Sequence, residues 1–196
     1  MPKNYKLLKN AILDTECTYQ RPIQKMSSDV TLNSPATAVM TDLSKVAAMT
    51  INPCATIDQA EIKMRTSGVR ALLVVNQYRH IVGIITARDV AGERATIYLH
   101  KVGGKREEIL VQDLMTPQFK VDVLELDHVR EAKVGNMVET LKTMGRQHAL
   151  VVDRGENGKM LVCGVFSTTQ IARQLGIEIN TADVAGSIAD LSAAKG

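Results

Sequence analysis

Tryptophan is absent from the 196 residues, and phenylalanine and tyrosine number only two and four. So few rings argue against the aromatic platforms on which single-stranded nucleic acid stacks. Cysteine is scarce and odd in number: Cys17, Cys54 and Cys163 stand far apart with no CxxC spacing. That excludes a disulfide framework and gives no zinc-binding pattern. Long hydrophobic runs are missing too, and the start MPKNYKLLKN breaks into charge before a signal-peptide core can form. A net charge of +3 is too small to imply a polyanion partner. Residues 86–106 hold five basic and two acidic side chains, but Glu107 and Glu108 cut that surplus back. These absences lead to the expectation of a reduced, cytoplasmic protein with no membrane segment and no nucleic-acid partner.

Catalytic patterns are likewise missing. His80, His100, His128 and His148 show neither HxxxH nor HExxH spacing, and there is no GxSxG elbow. No catalytic residue and no metal ligand is assigned. Lys101-Val-Gly-Gly-Lys-Arg106 lacks the spacing of a phosphate loop and reads as a flexible basic linker.

What the chain does contain is an internal repeat. Val39-Met40-Thr41 returns as Leu114-Met115-Thr116, 75 positions on. GVRALLVVN from Gly68 returns as GRQHALVVD from Gly145 at an offset of 77, and GIITARDV from Gly83 returns as GVFSTTQI from Gly164 at 81. The growing offset places insertions in loops such as RGENGK at 154–159. The chain divides into an extension (1–35), repeat 1 (36–94), a basic linker (95–110), repeat 2 (111–176) and a tail (177–196).

Each copy spells β-α-β-β-α. An extended stretch (45–51; 119–126) leads to a helix. Thr56 is placed as N-cap of the first, with Ile57, Ala60 and Met64 on one face; Val134, Met137, Val138 and Leu141 share a face of the second. Gly68 and Gly145 fall at helix C-termini. ALLVVN and HALVVD, then HIVGIIT and LVCGVFS, are apolar runs suited to strands buried on both faces. A last helix opens at Thr86 or Ser167. Ser34-Pro35 is placed as N-cap and N1 of a helix at Val39-Met40. Leu7, Leu8, Ile12 and Leu13 show helical spacing, and 183–194 reads as a short helix. Two such units, each apolar on one sheet face, are expected to pack sheet to sheet with pseudo-twofold symmetry: an α/β (α+β) fold with two equivalent crevices at the seam.

Thr86-x-x-Asp89 and Ser167-x-x-Gln170 both read as capping boxes, and Gly83 and Gly164 as points of close backbone approach. The same geometry also suits a ligand. A helix N-terminus attracts phosphate, Arg88 forks onto its oxygens, and the Asp89 carboxylate is a bidentate acceptor for a ribose diol. Copy two has Gln170 and Thr169 in place of Asp89 and Arg88. A neutral acceptor gives up about 1–2 kcal/mol, so the Asp89 crevice is expected to be the main site and the Gln170 crevice the weaker one.

From VMT and LMT, TINPCATIDQAEIKM, the GVRALLVVN and GRQHALVVD strands, and GIITARDV, residues 36–176 resemble the CBS domain in its tandem (Bateman module) form. The resemblance implies adenine-nucleotide or S-adenosylmethionine binding between the repeats as a regulatory ligand, with no obligatory cofactor and no catalysis. It carries phosphate and ribose contacts onto Thr86 and Asp89, and adenine contacts onto Thr50, Ile51, Ala55, Val69, Ala71 and Leu72. His148, Ser167 and Gln170 belong to the weaker site, and His148 and Arg130 are candidates lent by copy two to the main one. A homodimer and an effector protein are the expected partners. Two readings compete with a ligand sensor: an interaction scaffold with degenerate, empty crevices, and a small enzyme acting on an adenosyl compound.

Overall fold

The computed structural model describes residues 22–155 and 158–177, with 11, 12, 15, 17, 18 and 179. The expected helical spacing of Leu7, Leu8 and Leu13 and the expected helix at 183–194 lie outside the described residues. In chain order, a 3-10 turn at Ala36–Val39 leads to β1 (Thr41–Asp42), β2 (Thr50–Ile51), α1 (Ile57–Ser67), β3 (Ala71–Val75), β4 (Ile81–Thr86), α2 (Ala87–Ala91) and α3 (Glu93–Val102). A second passage follows: α4 (Val111–Leu114), β5 (Thr116–Pro117), β6 (Val123–Glu125), α5 (Leu126–Glu131), α6 (Val134–Thr143), β7 (His148–Arg154), β8 (Met160–Ser167) and α7 (Thr168–Leu175).

Local signals produce the helices as expected. Thr56 caps α1 through a reciprocal box with Gln59, while Gly68 ends it in the left-handed region at φ 66°. Ile57, Ala60 and Met64 are buried on one face, as are Val134, Met137, Val138 and Leu141 of α6. Pro35 rather than Ser34 is the cap residue of the first 3-10 turn; the Ser34 hydroxyl instead accepts from the Thr31 amide at 3.0 Å. The extended stretches are shorter than expected, and Phe119 lies in a 3-10 turn at Gln118–Lys120.

Sheet topology departs from the expected three strands per repeat. Each sheet has four, in the orders β1-β8-β7-β6 and β2-β3-β4-β5. The leader strand of each repeat crosses to the other: β1 pairs antiparallel with β8 (Thr41 opposite Val165) and β5 with β4 (Ile84 opposite Thr116). The cores follow the same exchange. Ala36, Val39 and Met40 pack with Met137, Leu141, Phe166 and Ile171, whereas Ile109, Val111 and Leu114 pack with Ile57, Met64, Leu72 and Ile85. A third cluster of Leu73, Ile84 and Leu150, flanked by Val123, Val162 and Val165, joins the two sheets face to face.

The repeated glycines now have a physical reason. A Cβ on Gly83 would lie 2.6 Å from the Thr116 carbonyl oxygen and 2.8 Å from Met115 Sδ; on Gly164 it would meet Met40 Sδ. Each glycine admits the methionine of the other repeat's leader. Residues upstream also join the fold: Val30 is buried in the second-half core, and Gln24 mimics an edge strand. Its amide donates to the Met40 carbonyl at 2.9 Å, and its Oε1 accepts from the Asp42 amide at 2.7 Å.

Residues 95–110, expected to be linker, contain most of α3, which runs to Val102 before Gly103 and Gly104 turn the chain at φ 81° and 89°. Arg106 then pairs with Asp58 at 3.4 Å and Glu61 at 3.5 Å on α1, so its charge is spent on the first half. Because the Thr116 carbonyl cannot yield without breaking the β4–β5 pairing, Gly83→Ala is expected to cost about 1–3 kcal/mol. Urea unfolding measures this; an unchanged midpoint would show that the leader is not tightly docked.

Candidate functional site

The exchange of leaders decides which residues line the seam. The larger cavity there, about 450 Å³, lies at the Ser167 end of β8. Thr41, Leu43, residues 46–49 and 68–73 of the first repeat supply much of its wall; Ile84, Leu150 and Val165 add apolar surface, and Ser167, Thr169, Gln170 and Arg173 form a polar rim. The smaller cavity, about 120 Å³, lies at Thr86, Arg88 and Asp89, and its wall comes from Thr116 and Gly145–His148 of the second repeat. Each crevice thus takes its helix N-terminus from one repeat and its wall from the other.

This separates residues that the sequence reading grouped together. Thr86, Arg88 and Asp89 share the small cavity, with His148 beside them. Val69, Ala71 and Leu72 line the large cavity with Ser167 and Gln170 instead. Ile51 is buried in the first-half core, Ala55 packs against that core, and Thr50 pairs with Leu73 in the sheet; none of the three borders either crevice. Arg130 is remote as well, bound to Asp127 at 2.9 Å.

The two helix openings differ in chemistry. Thr86 and Asp89 close a full capping box. Asp89 Oδ2 accepts from the Thr86 amide at 2.9 Å and from its hydroxyl at 2.7 Å, while the Asp89 amide donates to Thr86 Oγ1 at 3.3 Å. The remaining oxygen, Oδ1, is taken by Arg94, whose Nη1 also donates to the Leu114 carbonyl at 3.2 Å. The ion pair with Arg94 carries no motif, since it depends on the extended Gly92 that separates α2 from α3.

The expected second box does not form: Ser167 makes no side-chain cap bond at α7. Gln170 Nε2 donates to Gln174 Oε1 at 3.2 Å. The Thr168 amide donates to the Gln147 carbonyl at 2.9 Å, while those of Thr169 and Gln170 receive no cap from Ser167 and face an external acceptor as the free donors of a helix start. Arg70 and Arg173 line the same cavity, and neither guanidinium forms an ion pair among the described residues. Room and unsatisfied donors both sit on the side ranked second from sequence. A carboxylate at Asp89 was a true signal of a cap and a misleading guide to free space.

His148 borders both crevices. Its Nδ1 is buried without a hydrogen-bond partner among the described residues. Burial pushes its pKa down to about 4 from 6.5; Arg70 pushes the same way and Asp89 opposes. No group of three His, Cys, Asp or Glu able to hold a metal occurs among the described residues. Nor is any described helix long and apolar enough to cross a membrane.

Comparison with known proteins bears on the whole arrangement. The CBS domain family model matches residues 36–95. No curated protein matches the chain. Among solved structures, a CBS-domain containing protein from Agrobacterium tumefaciens is 18% identical with a TM-score of 0.53, over 73% of this chain and 94% of its own. The CBSX2 protein of Arabidopsis thaliana in complex with AMP is 20% identical with a TM-score of 0.50, over 71% and 94%. The CBS domain pair of protein MJ0100, in complex with 5′-methylthioadenosine and S-adenosyl-L-methionine, is 18% identical with a TM-score of 0.50, over 76% and 98%.

A histidine that is neutral when folded makes stability depend on pH. The unfolded chain takes up a proton near 6.5 and the folded one only near 4, so stability is full above 6.5 and falls as pH drops through that window. His148→Ala is expected to remove an acid-induced loss of about 3 kcal/mol. Denaturation midpoints of both proteins between pH 7 and 4 test this; parallel curves would show that His148 is not held neutral. Residues 36–95 thus match the CBS domain family, and the chain as a whole has the fold of a CBS-domain pair.

Proposed function

We propose that the protein is a regulatory module, without catalysis of its own, that binds an adenine nucleotide in the large crevice between its repeats. One observation carries this reading: an apolar slot of about 450 Å³ whose rim holds two guanidiniums without ion pairs among the described residues and a helix opening that Ser167 does not cap. The volume lies in the ordinary range for ligand pockets, roughly 300–1,000 Å³. Leu72, Ile84, Leu150 and Val165 offer surface to a base, and Gln170 Oε1 offers an acceptor to a ribose hydroxyl. Arg70, Arg173 and the Thr169 and Gln170 amides offer donors to phosphate, which favours a nucleotide over an uncharged adenosyl group. The AMP bound by CBSX2 and the adenosyl ligands bound by the MJ0100 pair support the ligand class.

Such a module signals through other surfaces. Ile62 on α1 and Ile97 and Val102 on α3 are large apolar side chains left exposed, which supports contact with a second copy or an effector chain. Three cysteines without disulfides fit a cytoplasmic setting. A ligand held by both repeats shifts the partner equilibrium only by its differential affinity for the two states.

Calorimetric titration with AMP, S-adenosylmethionine and 5′-methylthioadenosine tests the reading. One AMP per chain is expected. The double substitution Arg70→Ala/Arg173→Ala should weaken AMP by roughly tenfold or more while changing 5′-methylthioadenosine, which has no phosphate, far less. Loss of AMP binding on Asp89→Ala, with the arginine variant unaffected, would move the ligand to the small crevice. The self-satisfied Asp89 favours a second reading, an interaction scaffold, and no adenosyl binding by a folded protein would leave that reading standing.

A further inference from the structure

The two crevices are built from equivalent positions of one repeat, yet only one has room for a nucleotide. Register identifies the equivalent wall positions: Ala71 lies opposite Thr86 on β4, and His148 opposite Ser167 on β8. The wall of the large cavity carries Val69 and Ala71 where the other half has Arg146 and His148. On the Asp89 side the space is divided in two. One part, about 120 Å³, holds Thr86 and Asp89; the other, about 40 Å³, holds Lys120–Asp122 and Leu150. Both parts are bordered by Arg146 and His148. Lys120–Asp122 stand 75 residues after Lys45–Ala47, and Leu150 stands 77 after Leu73; in the large crevice Val46, Ala47 and Leu73 line one continuous cavity.

We propose that His148, together with Arg146, partitions the second crevice and so limits the module to one adenosyl ligand per chain. The inference rests on the nucleotide reading of the large crevice. Two side chains stand where their counterparts are a methyl and an isopropyl group, and they cut a ligand-sized space into parts too small for a nucleoside. The imidazole is not kept there by a hydrogen bond to Nδ1, which is buried without a partner among the described residues. A structural histidine at this depth would ordinarily have that nitrogen satisfied. The counterpart alanine shows that the fold accepts a small residue at the same place in the strand pair.

Arg146→Val/His148→Ala copies the wall of the large crevice onto the small one. Calorimetric titration of the full chain with AMP, and in parallel with S-adenosylmethionine, is expected to rise from one site in the wild type to two in the double variant. Adding Asp89→Ala to the double variant should return the count to one, which places the new site beside Asp89. His148→Phe, which keeps a ring in the partition, should stay at one. A wild type with one site and a folded double variant also with one would overturn the partition while leaving the nucleotide reading intact. No binding by either protein would overturn both, and two sites in the wild type would overturn the partition alone. Thermal unfolding of each variant confirms that the count refers to folded protein.

Discussion

Everything in this molecule depends on the reciprocal docking of two-residue leader strands. Thr41–Asp42 close the edge of β8, and Thr116–Pro117 close the edge of β4, so neither sheet is complete without the other repeat. An unpaired edge invites association with foreign strands, and here each repeat seals its neighbour. The 3-10 turn before β1 and the α4 turn before β5 go with their strands and contribute Val39 and Leu114 to the opposite cores. Gly83 and Gly164 are the sequence's answer to that geometry, because only a residue without a Cβ lets the incoming leader lie so close. The crevices inherit the same crossing, and each is a joint product of both repeats.

Symmetry of backbone does not bring symmetry of chemistry. At one helix opening, Thr86, Asp89 and Arg94 satisfy one another. At the other, Ser167 makes no cap bond, and two guanidiniums form no ion pair among the described residues. Groups bonded to one another and groups left open thus fall in different crevices of one seam. That division follows the general rule that a group already satisfied inside the protein contributes to folding, and a group left open contributes to recognition.

Much of this was legible in residue order. The Thr56 cap, the buried faces of α1 and α6, and the four apolar strands follow from propensity and periodicity, which act over a few residues. The Thr86–Asp89 box was legible for the same reason. The leader strands were not, since two residues carry no period and their partners lie over 30 or over 120 positions away. Without that crossing, Val69, Ala71 and Leu72 were assigned to the crevice of their own repeat, and Thr50, Ile51 and Ala55 to a site they do not border. Arg94 escaped notice because the interruption of the helix at Gly92, and no motif, turns it toward Asp89. Ser167-x-x-Gln170 has the composition of a box but not its bonds, since Gln170 turns to Gln174 instead.

Leader exchange also sets an order of assembly during synthesis. The first sheet has all its strands once Pro117 has left the ribosome, because β5 is its last member. The second cannot close until β8 arrives, since Thr41 waits for Val165. Through the intervening stretch of translation, β1 and its turn carry apolar side chains with no partner, and the pairing that ends the wait spans most of the chain. Long-range pairings of this kind are the slow ones, and unpaired apolar segments are where newly made chains stray. The segment around Gln24 and Val30, which lies on the same edge, comes off the ribosome before the leader it will cover.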